Sequence, residues 1–500
     1  MIFSGIEFAF FLPLVLAAYW LLPRKSAWQN GFLLGASYLF YASWSLRLLP
    51  LLLVATAVDY LAGLAMDRHR TAAESEGPDA ARARLRMRVA LGASLAYNIG
   101  QLCYFKYSGF FAESLNQLLS AAGLAPRLPV LKLLLPLGIS FYTFQKLAYI
   151  IDVYYGRQAA CRSPLEFATF VAFFPQLIAG PITRAGDLLP QLAQARVPDA
   201  DRMRAGAATF FLGFIKKAYV ADYLAQNLVD PMFAASAHHS TAGHWLALCA
   251  YALQLYCDFS GYSEMAIGCG RLLGIELPRN FDYPYLSKNL IEFWRRWHIT
   301  LNTWFFDYIY GPLTTGSGFM RGRLDAGFVI VFLVSGLWHG ASWTFVLWGG
   351  LHGLALIATR RWDVFYRGLC RQDRAWVARR KSTAYAGAAW FSTQVFFILT
   401  LVPFRAPSLA AAGSFLKALF VPQPGLLMPD VIPPAFRLNL LACFTFVIAH
   451  HLLELERGRA LRDRFFALPP LLRGTTYGLV IVYLHIFLPL STGTFVYAMF

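Results

Sequence analysis

Eleven apolar stretches recur along the 500 residues, at 5–22, 30–48, 50–66, 89–107, 133–154, 206–229, 243–262, 325–359, 386–404, 437–453 and 474–490. An α-helix needs about 20 mostly apolar residues to cross a bilayer. The pattern therefore predicts an all-α chain, a polytopic transmembrane helical bundle, and the runs that depart from that length predict re-entrant or broken helices. Only 14% of residues are charged and 58% are hydrophobic, whereas soluble domains carry about a quarter charged.

The net charge of +17 would suit a nucleic-acid partner if the basic residues shared a surface with exposed aromatics, but they do not. They cluster between apolar runs instead: Arg68, Arg70, Arg82, Arg84, Arg86 and Arg88, then Arg360 through Lys381, then Arg457, Arg459, Arg462 and Arg464. Basic loops stay on the cytoplasmic side, which places these three segments inside and the N-terminus outside. The first apolar run has no basic stretch before it and no small-residue cleavage site after it, so it is expected to be retained. The expected organisation is one membrane domain over 1–500: N-terminal helices at 1–66, a cytoplasmic loop at 67–88 whose Ala, Glu and Arg suit a solvated helix or linker, a core at 130–360, a second cytoplasmic loop at 361–385 and C-terminal helices at 386–500.

Polar residues inside apolar runs are where function is sought, because an ionisable side chain in hydrocarbon costs free energy unless it is bonded or faces a wet cavity. His339, within Ser335–Trp343, is the foremost case. Asp258, Ser260, Tyr262 and Glu264 end another apolar run and should face the protein interior. Pro136–Gln145 and Phe174–Ile182 are too broken for ordinary crossings, and the second reads as a re-entrant element. The segment Phe293–Trp304 reads as a helix at the membrane interface. Trp297, Leu301 and Trp304 would form one stripe in the headgroup region, with Arg295 and Arg296 turned to water or phosphate. His298 would share a face with Trp294 and Asn302.

Seven cysteines lie scattered without a C-x-x-C pair, so neither a disulfide framework nor a zinc site is indicated. His238, His239 and His244 form the densest histidine group but read as a polar loop, and no metal site is expected. No nucleophile elbow, Walker loop or dinucleotide fingerprint is present. What remains is general-base chemistry. An imidazole titrates near neutrality, and burial disfavours its charged form, leaving it able to take a proton from a hydroxyl or thiol attacking a thioester.

Taken together, Tyr256–Gly268, Phe293–Leu301 and Gly336–Trp343 closely resemble the membrane-bound O-acyltransferase family, and most of all its bacterial alginate O-acetylase-type branch. Pro136–Gln145, Pro175–Ile182, Pro403–Ala406 and Thr494–Phe500 add matches in order along the chain. The resemblance implies helices around a central funnel that leads from the cytoplasm to a buried histidine. His339 matches that histidine and His298 the second histidine of the bacterial branch, the first as general base or acyl-handling residue and the second as an aid to donor positioning. Trp294, Arg295, Arg296, Asn302, Asp258, Ser260, Tyr262, Gln145, Trp338 and Trp343 are the expected donor-binding or funnel-lining residues. The chain departs from many relatives at Phe305–Gly318, where an Arg before the Asp and a Gly-Gly-Asn-Arg run are missing, and at Asn302, which stands where Ser is usual.

What the resemblance implies for function is O-acetylation of an exported polysaccharide such as alginate or cellulose. No cofactor is expected to be bound, and acetyl-CoA is the expected co-substrate. The expected partners are membrane lipids, an extracytoplasmic acetyltransferase and the polysaccharide synthesis and export machinery, in the inner membrane of a bacterium. D-alanyl transfer to teichoic acid and peptidoglycan O-acetylation are the enzymatic alternatives. A transporter of the acyl donor, expected to show broken helices in two related halves, and a purely structural subunit are the non-enzymatic ones.

Overall fold

A computed structural model describes residues 1–125, 128–131, 133–234, 239–425 and 434–487. Helices make up the architecture, and no β-strand occurs among the described residues. The Thr494–Phe500 motif, His238 and the far end of the 474–490 stretch lie outside them.

The apolar runs become helices of unequal length. Two, Leu46–Glu74 and Thr383–Arg405, are long and apolar enough to cross a membrane, and Ile6–Leu21, Leu324–His339, Leu409–Phe420 and Arg437–Leu452 are shorter apolar helices. The 206–229 run fails as a simple crossing because it holds Lys216, Lys217 and Asp222 and winds as π-helix over Ile215–Ala221 and Ala225–Val229. The 325–359 run is two helices, Leu324–His339 and Trp343–Gln372, separated where Gly340 turns to extended backbone. Both expected loops are largely helical. Residues 67–88 fall within Leu49–Glu74 and Pro78–Leu102, parted by a left-handed Gly77, and 361–385 is covered by Trp343–Gln372, Arg374–Lys381 and the start of Thr383–Arg405.

The chain forms two compact units, the first comprising Met1–Phe211 and Tyr262–Arg279, the second Leu212–Gly261 and Asn280–Phe500. The helix Thr241–Leu272 contributes to both in sequence.

In the first unit a fully buried polar knot ties three helices. Lys146 Nζ lies 3.3 Å from Asp59 and donates to Asn98 at 2.7 Å, while Ser94 and Asn98 donate to Asp59. A buried charge survives only when it is paired and its remaining hydrogen-bonding capacity is filled, and this knot does both. A second tie centres on buried Arg196, which donates to Tyr19 at 2.6 Å and to Asn30 at 2.7 Å. The segment expected to be re-entrant is one helical turn, Phe174–Leu177, followed by non-helical backbone, all of it buried.

In the second unit the dominant element is the hairpin of Leu324–His339 and Trp343–Gln372. Its helices meet backbone to backbone. A methyl group on Gly336 would strike the Phe345 carbonyl, and one on Gly349 would strike the Phe332 carbonyl. Small residues at such contacts let helices approach closely where no hydrophobic drive separates protein from lipid. Ser342 caps the second helix by accepting from Thr344 N at 3.3 Å.

Candidate active site

His339 ends the Leu324–His339 helix and is 4% exposed. Three aromatic rings enclose its imidazole: Trp338 at 4.9 Å between centroids, Trp348 at 5.0 Å and Phe404 at 5.1 Å, each steeply inclined to it. Trp348 comes from the partner helix of the hairpin, so the glycine contacts that close the hairpin also bring that indole to His339. Phe404 comes from Thr383–Arg405, which packs on Trp343–Gln372.

His298 enters the same cluster from a break between two helices that the sequence pattern does not foretell. The expected continuous helix through Phe293–Trp304 is broken: Leu290–Arg296 ends, Trp297 is extended, His298 is left-handed at φ 45° and ψ 54°, and Ile299–Phe305 begins anew. Trp297, Leu301 and Trp304 are buried rather than ranged along an interface. A non-glycine residue with positive φ needs compensation from its surroundings. Asn280 supplies it. Its Oδ1 accepts from His298 Nδ1 at 3.0 Å, Thr300 N at 3.3 Å and Thr300 Oγ1 at 2.9 Å, and its carbonyl accepts from Ile299 N at 2.9 Å. A backbone N–H needs an acceptor, so the Asn280 atom that meets Thr300 N is the amide oxygen. Nδ1 of His298 therefore carries the hydrogen, and Nε2 is the basic nitrogen of the neutral ring.

The two histidines share a neighbour. His298 meets the Trp338 ring at 5.8 Å, inclined by 62°, and stands edge-on to Phe259 at 4.5 Å. Phe259 is held in place next door in sequence, where Asp258 pairs with Lys217 at 2.6 Å and Lys217 pairs also with Asp222 at 2.7 Å, all three side chains buried. Asp258 is thus a structural anchor of the cluster, with a cation the sequence analysis did not connect to it.

The other expected site residues divide. Trp294, Arg295 and Asn302 line a cleft of about 410 Å³ together with Phe306, Phe328 and Phe332. Asn302 also closes the helix break by donating to the Trp294 carbonyl at 2.9 Å and to that of Trp297. Arg296 pairs with Glu292 at 2.9 Å. Ser260 is fully buried, and Trp343 is 52% exposed at the start of its helix. Gln145 and Tyr262 belong to the first unit, where Gln145 donates to the Phe170 carbonyl at 2.9 Å and Tyr262 stacks on Phe3 at 4.6 Å. Sequence reasoning missed Asn280, Trp348, Phe404 and Lys217. The spacing of Trp348 and His352, one helical turn apart, was a usable signal for Trp348.

The family model for the membrane-bound O-acyltransferase family matches residues 158–402. The chain is 43% identical over 363 residues to the protein named "Probable alginate O-acetylase AlgI" of Azotobacter vinelandii, covering 72% of this chain and 69% of that one. It is 38% identical over 424 residues to the protein of the same name from Pseudomonas aeruginosa, covering 84% and 75%. It is 34% identical over 438 residues to the peptidoglycan O-acetyltransferase of Helicobacter pylori, covering 82% and 77%. With a buried histidine pair in its core and relatives of this closeness over most of its length, the chain belongs to the membrane-bound O-acyltransferase family and is a membrane-embedded O-acyltransferase.

Proposed function

We propose that this protein moves an acetyl group from acetyl-CoA on the cytoplasmic side to an exported polysaccharide of the alginate or cellulose kind, as a multi-pass protein of a bacterial inner membrane with its N-terminus outside. The observation that carries this reading is the placement of His339 and His298 on one indole, that of Trp338, in a chain whose relatives include alginate O-acetylases.

In the reaction, an acceptor hydroxyl oxygen attacks the thioester carbonyl while His339 takes its proton. The carbon–sulfur bond then breaks, and the CoA thiolate leaves and recovers the proton. The buried, aromatic surroundings of His339 keep water from competing for the acetyl group. His298, with Nδ1–H fixed on Asn280, offers Nε2 as an acceptor at a constant angle and positions the donor. Trp294, Arg295 and Asn302 face the donor from their cleft, Arg295 suiting an anionic phosphate. The acetyl group reaches the glycan directly or through an extracytoplasmic acetyltransferase coupled to the synthesis and export machinery.

The test uses the purified chain in detergent with acetyl-labelled acetyl-CoA. Thioester cleavage or onward transfer of label is expected, and His339→Ala should abolish it. Cleavage that persists in His339→Ala, or binding without any cleavage in the parent protein, refutes the reading. The second outcome would indicate a donor transporter.

A further inference from the structure

The helix Pro434–Leu452 turns at 453–455 into Glu456–Phe466, and a cleft of about 700 Å³ opens against both. It shares no lining residue with the cleft at Trp294. Phe446 and Leu453 line it two turns apart from the first helix and its end, and Leu461 and Phe465 line it one turn apart from the second. Each helix thus presents an apolar stripe to it. Leu461 is 61% exposed. The volume lies within the usual range for ligand sites, and apolar walls give water few partners. In a membrane-embedded chain the solvent that suits such walls is the lipid acyl chain.

Two opposite charges stand among these walls. Glu454 lines the cleft and accepts from the Tyr283 hydroxyl at 2.9 Å, and the Tyr283 ring packs against His450 at 5.0 Å. A carboxylate accepts several hydrogen bonds, so one phenol does not exhaust it. Arg464 also lines the cleft, is exposed, and makes no ion pair with any described residue. A purely anionic head would meet Arg464 and be repelled by Glu454, and a purely cationic one would fare the other way round. A head that carries an ammonium beside a phosphate satisfies both. The second helix bears arginines at 457, 459, 462 and 464, a pattern that suits a helix lying at headgroup level.

We propose that this cleft binds an aminophospholipid of the phosphatidylethanolamine class, with its phosphate on Arg464, its ammonium on Glu454 and an acyl chain along Phe446, Leu453, Leu461 and Phe465. The lipid is a bound component and takes no part in acyl transfer.

The experiment is native mass spectrometry of the purified, delipidated full chain in detergent. It is titrated separately with dioleoylphosphatidylethanolamine, dioleoylphosphatidylcholine and dioleoylphosphatidylglycerol. One ethanolamine lipid should be held about fivefold more tightly than either of the others, because the methylated nitrogen of choline donates no hydrogen bond to Glu454 and the glycerol head has no cation. Glu454→Gln should erase the preference over choline. Arg464→Gln should weaken the ethanolamine and choline lipids alike by about threefold, since both carry the phosphate and the arginine is exposed. Leu461→Asp, at the exposed rim, should weaken all three. Helical circular dichroism checks the fold of each variant. Should Glu454→Gln fail to fold, the ranking of the three lipids in the parent, together with Arg464→Gln, carries the test. Equal retention of the three lipids, tightest retention of the glycerol lipid, an ethanolamine preference that survives Glu454→Gln, or unchanged binding in Arg464→Gln overturns the proposal. No turnover is measured, so the result is independent of the proposed acetyl transfer.

Discussion

Replacing Lys217 by Met should cripple the fold more than any other single change of similar size in the second unit. Its ammonium sits between Asp222, at 2.7 Å, and Asp258, at 2.6 Å, with side-chain exposures of 3%, 4% and 1%. Two carboxylates that share one nitrogen lie no more than about 5 Å apart, and without the cation their repulsion at an effective dielectric near 20 is about 3 kcal/mol. Stranding one partner of a buried ion pair costs about 3–5 kcal/mol by general experience, which agrees. The loss should spread to the site, since Asp258 precedes the Phe259 ring that meets His298 at 4.5 Å. Unfolding of the detergent-solubilised chain, followed by helical circular dichroism against denaturant, is the assay. Lys217→Met should shift the transition by that amount, and adding Asp258→Asn to it should recover about half. A shift below about 1 kcal/mol, or a double variant that is simply the sum of two losses, refutes the argument.

Three further outcomes are expected. At the left-handed position, His298→Gly gains up to about 1 kcal/mol from glycine's freedom at positive φ but loses the buried ring's packing on Phe259 and Trp338 and its bond to Asn280, so a net loss of about 1–3 kcal/mol is expected while acetyl transfer falls at least tenfold; paired stability and turnover measurements check both. Asn280→Ala removes the acceptor of three hydrogen bonds and should cost about 2–3 kcal/mol together with most activity, whereas Asn280→Asp, which keeps the acceptor oxygen, should recover part of the stability in the same unfolding assay. Gly349→Val should lower stability by about 2 kcal/mol or more, because its side chain would enter the Phe332 carbonyl, and turnover should fall with it; an unchanged unfolding midpoint would contradict the backbone contact.

Much of this was legible in the sequence. His339 announced itself as an ionisable residue in hydrocarbon-like surroundings, and the helical class followed from the apolar runs. The break at Trp297–His298 was not legible. The spacing of Trp297, Leu301 and Trp304 fits an unbroken helix, and what interrupts it is Asn280, a residue 18 positions upstream whose reach is a tertiary fact. For the same reason Asp258 could be flagged as needing a partner but not matched to Lys217, which lies on another helix inside a run that reads as apolar. The helical nature of 361–385 was obscured by its charge, which marks a solvated surface and not a change of backbone, whereas the Ala-, Glu- and Arg-rich 67–88 already allowed a solvated helix.

The contact of Gly336 and Gly349 with facing carbonyls has a bearing on durability. Where two helices rest on main-chain atoms, no rotamer lies between them to be repopulated by heat, by a change of lipid or by drift in neighbouring side chains. The spacing of the two backbones that carry His339 and Trp348 is then set by atomic radii, and it should persist wherever both glycines are kept.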